Sequence, residues 1–332
     1  MKNYSRFIIG GISVIMMTVG SVAGSEAENY PQAEISNGLI TAKIWTPDPE
    51  KGFYRGTRFD WSGAIASLRY QGHEFFGPWR DNMVDPEVHD NITGPVESFM
   101  ANNAVLGYKE AKVGETFMRI GVGLCEKPQE KGYTWTHTYE VVEPGKWTIK
   151  QDKNWIEFTH ELADGKGYAY RYTKRLTLPE GKPELVLSHV LENTGEKTIA
   201  TEAFNHNFFV IDGRPSGPEF EIEFPFAMTA TRDLKGLIAI RGNKIHYPKE
   251  LQEGDAIYTV LEGYGTQQAD NAFRIENKKT GVAVSMKTDQ PLHKLCFWTI
   301  RRTLCPEPYI FMKINSGETQ MWDTQYVFFE KK

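Results

Sequence analysis

The chain has few cysteines and no excess of positive charge, and these two shortages exclude several classes of protein. Its 332 residues include three cysteines, Cys125, Cys296 and Cys305, which are too few for a disulfide scaffold. No pair of cysteines and no pair of histidines has the spacing of two to four residues that is typical of zinc sites. The net charge is −5 and the basic residues are scattered among acidic ones, so we predict no nucleic-acid partner.

Long apolar runs are also scarce, and the one at the N-terminus indicates export. Residues 7–22 are apolar, follow Lys2 and Arg6, and lead into small residues up to Ala27. This order is typical of a secretory signal peptide and is too short for a confident membrane span. We therefore expect residues 1–27 to be removed, no membrane span thereafter, and a periplasmic or secreted location. The alternative is an uncleaved anchor.

Export bears on the cysteines, because compartments outside the cytoplasm are oxidising. Cys296 and Cys305 either pair as a disulfide, if their strands lie side by side, or remain free buried thiols.

Helical periodicity is weak throughout, whereas short alternating segments are common. The best helix candidate is residues 95–103, which begin with Pro95 and span only two turns. Alternation of polar and apolar residues predicts strands at 64–70, 155–162, 168–178, 185–192, 272–276, 282–287, 309–314 and 324–329. Turn residues between 171–178, 185–192 and 198–209 predict a meander of three strands. The fold class predicted is all-β, a large two-sheet antiparallel sandwich formed by residues 28–332 as one domain.

Two titratable residues occur in segments suited to chemistry. Glu307 lies between Pro306 and Pro308, which hold its backbone in a stiff, non-helical conformation. His206 lies among aromatic residues in a strand-like segment. A carboxylate and an imidazole together are an acid/base pair. On these residues alone, a histidine hydrogen-bonded within the sheet is the favoured interpretation of His206, and Glu307 is explained as well by a surface carboxylate in a rigid turn.

Three segments resemble one known family. The segments "GAIASLRYQGHEFFGP" (63–78), "LENTGEKTIATEAFNHNFFVID" (191–212) and "TLCPEPYIFMKINSGETQMW" (303–322) resemble, in the same order, stretches of aldose 1-epimerases and hexose-phosphate mutarotases. The resemblance implies a galactose mutarotase-like supersandwich whose concave face binds a pyranose. It also implies that His206 protonates the ring oxygen while Glu307 takes the proton of the anomeric hydroxyl, from opposite sides of the sugar. Such chemistry needs no metal and no cofactor, and the expected partner is a monosaccharide or short oligosaccharide.

The N-terminal half departs from the family, whose second histidine and arginine have no recognisable counterpart here. In "GTRFDWSG" (56–63), Arg58, Asp60 and Trp61 offer donors, an acceptor and a stacking face for a sugar. Alternatively, Arg58 and Asp60 pair with each other in a hairpin. His89 either replaces the missing histidine or is a solvated loop residue.

Two further residues near Glu307 are candidates for contact with the substrate. Trp298 offers a stacking face, and Arg301 meets either an acidic sugar or phosphate, or the solvent. The alternatives to an epimerase are a carbohydrate-binding protein without catalysis and, less favoured, a lyase or glycoside hydrolase on the related supersandwich. A binding protein is expected not to have His206 and Glu307 facing one cavity.

Overall fold

The structure, a computed structural model, describes residues 30–101 and 104–330. The expected signal peptide lies outside these residues and stays a prediction. Within the described residues there are 23 strands and a 3₁₀ helix at Gln268–Asp270. The strands are β1 Gln32–Ser36, β2 Ile40–Trp45, β3 Ile65–Tyr70, β4 His73–Phe76, β5 Val96–Phe99, β6 Thr116–Arg119, β7 Gly123–Glu126, β8 Val141–Glu143, β9 Lys146–Asp152, β10 Trp155–Ala163, β11 Ala169–Thr177, β12 Glu184–Asn193, β13 Ile199–His206, β14 Phe220–Glu223, β15 Thr229–Ala230, β16 Ala239–Arg241, β17 Lys244–His246, β18 Ala256–Glu262, β19 Ala272–Asn277, β20 Val282–Thr288, β21 Lys294–Ile300, β22 Thr303–Ile314 and β23 Thr319–Glu330.

Two large antiparallel sheets pack against each other, as the alternation predicted. One has ten strands in the order β16-β17-β14-β19-β20-β23-β12-β11-β10-β9, and the other has six in the order β15-β18-β21-β22-β13-β5. Strands β10, β11 and β12 alternate buried and more exposed residues, so each presents one apolar face. The buried faces of both sheets contribute to one core, for example Leu187 and Ile275 from the ten-stranded sheet and Phe297 from the six-stranded sheet. The all-β sandwich is confirmed.

The predicted meander of three strands is only partly correct. Strands β11 and β12 pair, but β13 pairs with β22 and β5 in the other sheet. The chain crosses between sheets after Asn193, whose side-chain amide donates to the carbonyl oxygens of Lys197 and Ile314. Since a tight turn looks the same in sequence whether it joins strands of one sheet or of two, local pattern did not distinguish them.

The helix predicted at residues 95–103 is wrong. Val96–Phe99 form strand β5, which pairs with β13 at the edge of the six-stranded sheet. All four residues are buried, so packing on a neighbouring strand outweighed the weak local preference for a helix. Gly94, just before β5, lies so close to β13 that an added Cβ would sit 2.0 Å from the backbone oxygen of Asn207. The glycine thus permits this edge of the sheet to form.

The outer face of the six-stranded sheet is covered near one end. The first half of β22, up to Tyr309, is buried on both faces, whereas Phe311 and Lys313 on its outer face are exposed. Strand alternation places Leu304 and Ile310 in the core and Glu307 and Tyr309 on the outer face. The covered part of the outer face is where the candidate site lies.

The three cysteines are free and buried. Cys296 lies opposite Glu307 and Cys305 opposite Trp298, so the two thiols are diagonal neighbours on β21 and β22. Diagonal positions are roughly 7–8 Å apart, too far for a disulfide without backbone movement. The described residues also contain no helix long and apolar enough to cross a membrane.

Candidate active site

His206 and Glu307 lie next to each other on adjacent strands. Phe204 on β13 pairs with Tyr309 on β22, and continuing that register by two residues places His206 opposite Glu307. The Nε2 atom of His206 is 3.3 Å from Oε1 of Glu307. Both residues are almost fully buried, and both point to the outer face of the sheet. The sheet register therefore brings together the two residues singled out in the sequence.

The pair lies in a cavity of about 530 Å³. Phe204, Tyr309, Trp298 and Tyr258 extend from the same sheet face, and the opposing wall comes from segments before β13, including Arg58, His89, Arg119, Tyr133 and Trp135. Ligand pockets typically measure about 300–1,000 Å³, so the space suits a sugar. Aromatic rings and a few charged groups are the usual lining of a carbohydrate site.

The electrostatics of the pair differ from the sequence-based expectation. Burial raises the pKa of Glu307 to about 7, against the opposing influence of Arg58 and Lys294. Burial and the nearby positive charge of Arg58 hold the pKa of His206 well below its usual range. A histidine of ordinary, near-neutral pKa would suit a proton donor, and an ionised carboxylate a proton acceptor. The cavity instead favours the neutral form of both groups, because neither is well solvated.

The two groups are also adjacent rather than on opposite sides of a sugar. In a cyclic aldose the ring oxygen and the anomeric hydroxyl are bonded to the same carbon, so two side-chain atoms 3.3 Å apart can reach both oxygens from one direction. The adjacency of His206 and Glu307 is therefore compatible with proton exchange at C1.

Arg58 is the sequence-predicted substrate contact that is best placed. Its guanidinium stacks between the rings of Phe59 and Trp135, at 4.5 and 4.2 Å from their centres. It lines the cavity and does not pair with Asp60 as the hairpin alternative required. A stacked guanidinium presents its N–H edge to the cavity, where it can bind sugar oxygens.

His89 and Trp298 also line the cavity. His89 is partly buried, with its ring against Trp135, rather than in a solvated loop. Trp298 packs edge-on against His206, at 5.5 Å between ring centres. Both side chains are therefore placed where they could contact a ligand in the cavity, and their substrate-binding role stays a prediction.

Three sequence-predicted contacts lie elsewhere and are not among the lining residues. Asp60 is buried beneath the site, where it accepts from Ser62 and lies 3.6 Å from Lys174. Trp61 is also buried, and its indole nitrogen donates to the carbonyl of Gly56. Arg301 binds Glu250 at 2.9 Å at the surface. Residues 56–63 form no strand, so alternation does not apply there, and the irregular backbone turns Asp60 and Trp61 inward although Arg58 faces the cavity.

Phe208 follows the end of β13 and packs directly against the candidate pair. It stacks on His206 with ring centres 3.7 Å apart, whereas its neighbour Phe209 packs in the core against Phe76. The two neighbouring phenylalanines therefore lie on opposite sides of the chain, one at the cavity and one in the core. Phe208 has a φ of 42°, a left-handed conformation that is strained for a bulky residue. The strain is maintained at the place where the ring supports the imidazole.

Several lining residues were missed in the sequence. Phe204 and Tyr309 lie two residues from His206 and Glu307, so strand alternation was a signal for both. Lys294 lies opposite Tyr309 and binds Glu202 at 3.1 Å, which required knowledge of the register. Glu202 shares the outer face with His206, four residues along the same strand, but it binds Lys294 and His293 instead of the imidazole. Arg119 and Trp135 come from distant segments with no local signal.

Comparisons with known proteins identify the fold. No family model and no curated protein matches the chain. Solved structures do match. An aldose epimerase homologue from C. elegans is 14% identical with a TM-score of 0.56, over 91% of this chain and 100% of that one. A galactose mutarotase-like protein from Clostridium acetobutylicum is 12% identical with a TM-score of 0.55, over 92% and 100%. Another from Lactobacillus casei is 11% identical with a TM-score of 0.54, over 90% and 100%. The chain has the galactose mutarotase-like fold.

Proposed function

We propose that the protein is an aldose 1-epimerase-like enzyme that interconverts the anomers of a sugar. The observation that carries this proposal is the contact between His206 and Glu307 on the floor of a sugar-sized cavity. The names of the similar structures, which include an aldose epimerase homologue and galactose mutarotase-like proteins, agree with it. At 11–14% identity those structures support the fold, and the activity rests on the site.

The reaction requires one proton to reach the ring oxygen and one to leave the anomeric hydroxyl. The imidazole of His206, which is neutral in this cavity, donates the first proton from its Nε2–H while Glu307 accepts the second, so the C1–O5 bond breaks and an open-chain aldehyde forms. The proton taken up by Glu307 then returns to Nε2 across their 3.3 Å contact, which restores the pair. Rotation about C1–C2 followed by closure gives either anomer. Because the pKa of Glu307 is about 7, a substantial fraction of the carboxylate is ionised at neutral pH. The pair titrates together, since the two groups are in contact.

A second candidate, a carbohydrate-binding protein without catalysis, was expected not to have His206 and Glu307 facing one cavity. Both residues line the same cavity, which favours the enzyme. A hydrolase commonly uses two carboxylates about 5–10 Å apart. The cavity includes Glu307 and Asp90, and Asp90 is bonded to Arg80 at 2.7 Å, which leaves the catalytic pair as carboxylate and imidazole.

The test follows anomer equilibration by NMR. Freshly dissolved α-anomers of galactose, glucose and their uronic acids are mixed with the protein, and with His206→Ala and Glu307→Gln variants. We expect at least one sugar to equilibrate much faster than its buffer blank, and each variant to lose most of that acceleration. If every sugar matches its blank with correctly folded protein, the proposal is wrong and the binding protein takes its place.

We further infer that the enzyme works outside the cytoplasm, which rests on the apolar segment at residues 7–22. Expression with the full N-terminus, followed by N-terminal sequencing of the periplasmic protein, tests this location. Cleavage near Ala27 is the expected result, and an intact N-terminus retained in the cytoplasm contradicts it.

A further inference from the structure

A second hollow lies next to the cavity that contains His206 and Glu307. Arg232, Tyr258 and Trp298 line both spaces. The second hollow measures about 450 Å³, and Asp233 and Lys235 are also part of its wall. Each space has the size of an ordinary ligand pocket. A ligand lying across the shared wall would fill both, as a chain of two sugar units does.

The lining of this double cavity is rich in positive charge. Arg58, Arg119 and Lys294 line the first space, Lys235 lines the second, and Arg232 lines both. Three carboxylates, Glu307, Asp90 and Asp233, also line it; Asp90 is bonded to Arg80 and Lys294 is bonded to Glu202, and the lining stays net positive when both pairs are set aside. The whole chain carries a net charge of −5, so the positive lining does not reflect the overall composition. Such a lining attracts an anionic ligand.

Two of the guanidinium groups have ring contacts but no acceptor. Across residues 30–101 and 104–330, neither Arg58 nor Arg232 has an ion pair or a side-chain hydrogen bond. Arg58 stacks on Trp135, and Arg232 stacks on Tyr258 at 4.7 Å from the ring centre. Stacking fixes the plane of each guanidinium and leaves its fork of N–H donors available, which matches a carboxylate in geometry and charge.

We propose that the substrate is an oligosaccharide that carries carboxylates, such as linked uronic acid units. Its reducing unit lies against His206, Glu307 and Arg58, and the next unit lies against Arg232 and Tyr258. This inference rests on the proposed function for the chemistry at the reducing end. It adds the charge and the length of the ligand.

Four sugars separate charge from length. They are galactose, galacturonate, the 1,4-linked dimer of galactose and the 1,4-linked dimer of galacturonate, with galactose 6-phosphate as a fifth that supplies a phosphate instead of a carboxylate. Equilibration at the reducing end is measured by NMR, and kcat/KM is compared. We expect the acidic dimer to exceed both the neutral dimer and the acidic monomer by about tenfold or more, the effect of a charge-assisted hydrogen bond.

The outcomes are distinguishable. If neutral and acidic sugars, or monomers and dimers, react equally well, the inference is overturned while the proposed function stands. A preference for galactose 6-phosphate over the acidic dimer also overturns it. If no sugar equilibrates faster than its blank, the proposed function fails, and calorimetric titration of the same five sugars into the protein decides the ligand class. In that titration, tightest binding of the acidic dimer supports the inference, and equal binding of all five sugars overturns it.

Substitution of Arg232 locates the second unit. In Arg232→Gln we expect the ratio of kcat/KM for the acidic dimer to that for the acidic monomer to fall about tenfold. The matched control is Arg241→Gln, an exposed arginine on β16 in the other sheet, for which the ratio stays unchanged. An unchanged ratio in Arg232→Gln means that the second unit does not lie there and contradicts the inference.

Discussion

Within residues 30–101 and 104–330, two buried glutamate–histidine pairs lie on opposite faces of the six-stranded sheet. In the cavity, His206 lies 3.3 Å from Glu307. Between the sheets, Nε2 of His189 lies 3.6 Å from Oε1 of Glu97. The residue types, burial and separation are similar. What differs is the set of groups around each pair.

The inner pair has many partners. Lys174, which is fully buried, bonds to Glu97 and to the carbonyl of Ser62, and the amide of Asn205 donates to Glu97 at 2.9 Å. Burial pushes the pKa of Glu97 upward, but Lys174, His189 and these hydrogen bonds together outweigh burial and lower it below its ordinary value. Glu97 is therefore held as a carboxylate within an apolar interior, a structural role.

The outer pair has few partners and faces open space. The nearest cations, Arg58 and Lys294, act on Glu307 without a direct hydrogen bond, so burial dominates and raises its pKa to about 7. The Nδ1 atom of His206 is buried with no hydrogen-bond partner among the described residues. The comparison shows that a buried acid/base pair is a candidate for catalysis when it borders a cavity and no strong partner holds it in one protonation state.

The largest expected difference between the pairs is in activity. Glu307→Gln should lower kcat for anomer equilibration by roughly 10²–10⁴-fold, because the proton acceptor at C1 is lost. Glu97→Gln, assayed per folded molecule, should retain most activity. NMR equilibration rates measure both, and far-UV circular dichroism checks the fold. Equal losses in the two variants would mean that the pairs do not differ in role.

The inner pair, in contrast, is expected to matter for the stability of the fold. Glu97→Gln leaves Lys174 buried with a weakened partner, so we expect a loss of about 3–5 kcal/mol in the free energy of unfolding. The control is Glu161→Gln at the surface, whose ion pair with Arg171 should be worth less than about 1 kcal/mol. Urea unfolding at pH 7 measures both. A cost for Glu97→Gln no larger than that of the control would show that the inner network is not structural.

The pH dependence of stability separates the pairs further. Glu307 has a folded pKa of about 7 against an ordinary 4.5, so its contribution to stability is full below pH 4.5 and is lost as pH rises through 7. Glu307→Gln lacks this loss. Its stability relative to wild type should be near zero at pH 4 and rise to roughly 3 kcal/mol at pH 8. Urea unfolding at both pH values tests this, and a difference independent of pH would contradict the raised pKa.

The smallest expected effect is that of Arg58 on its neighbour. The guanidinium lowers the pKa of Glu307, so Arg58→Met should move the rising limb of kcat/KM to higher pH and reduce the rate at pH 7 by roughly two- to tenfold. Arg175→Met is the control, since Arg175 also stacks on a tryptophan but lies on β11 of the other sheet. A lower rate without a shift of the limb would show that Arg58 only binds substrate.

Much of the fold was predictable because strand alternation is a local property. The segments predicted at 155–162, 185–192 and 282–287 agree with β10, β12 and β20 to within one residue at every end. The pairing partners were not predictable, because β12 continues to β23 while β13 joins β22, and each choice depends on distant chain. The helix at 95–103 failed for the same reason, since β5 is a strand only because β13 lies beside it.

The sequence by itself determined the all-β class, the face on which His206 and Glu307 each lie along their strands, and, through resemblance, that these two residues belong together. Only the tertiary structure decided that His206 and Glu307 are in contact and that Asp60 and Trp61 are buried away from the cavity. It likewise decided that Arg119 and Trp135, which are distant in sequence, line the cavity. It also decided which of two similar pairs is held ionised. The physical reason is that alternation is set by neighbours in the chain, whereas register, enclosure and pKa are set by groups that are distant in sequence and close in space.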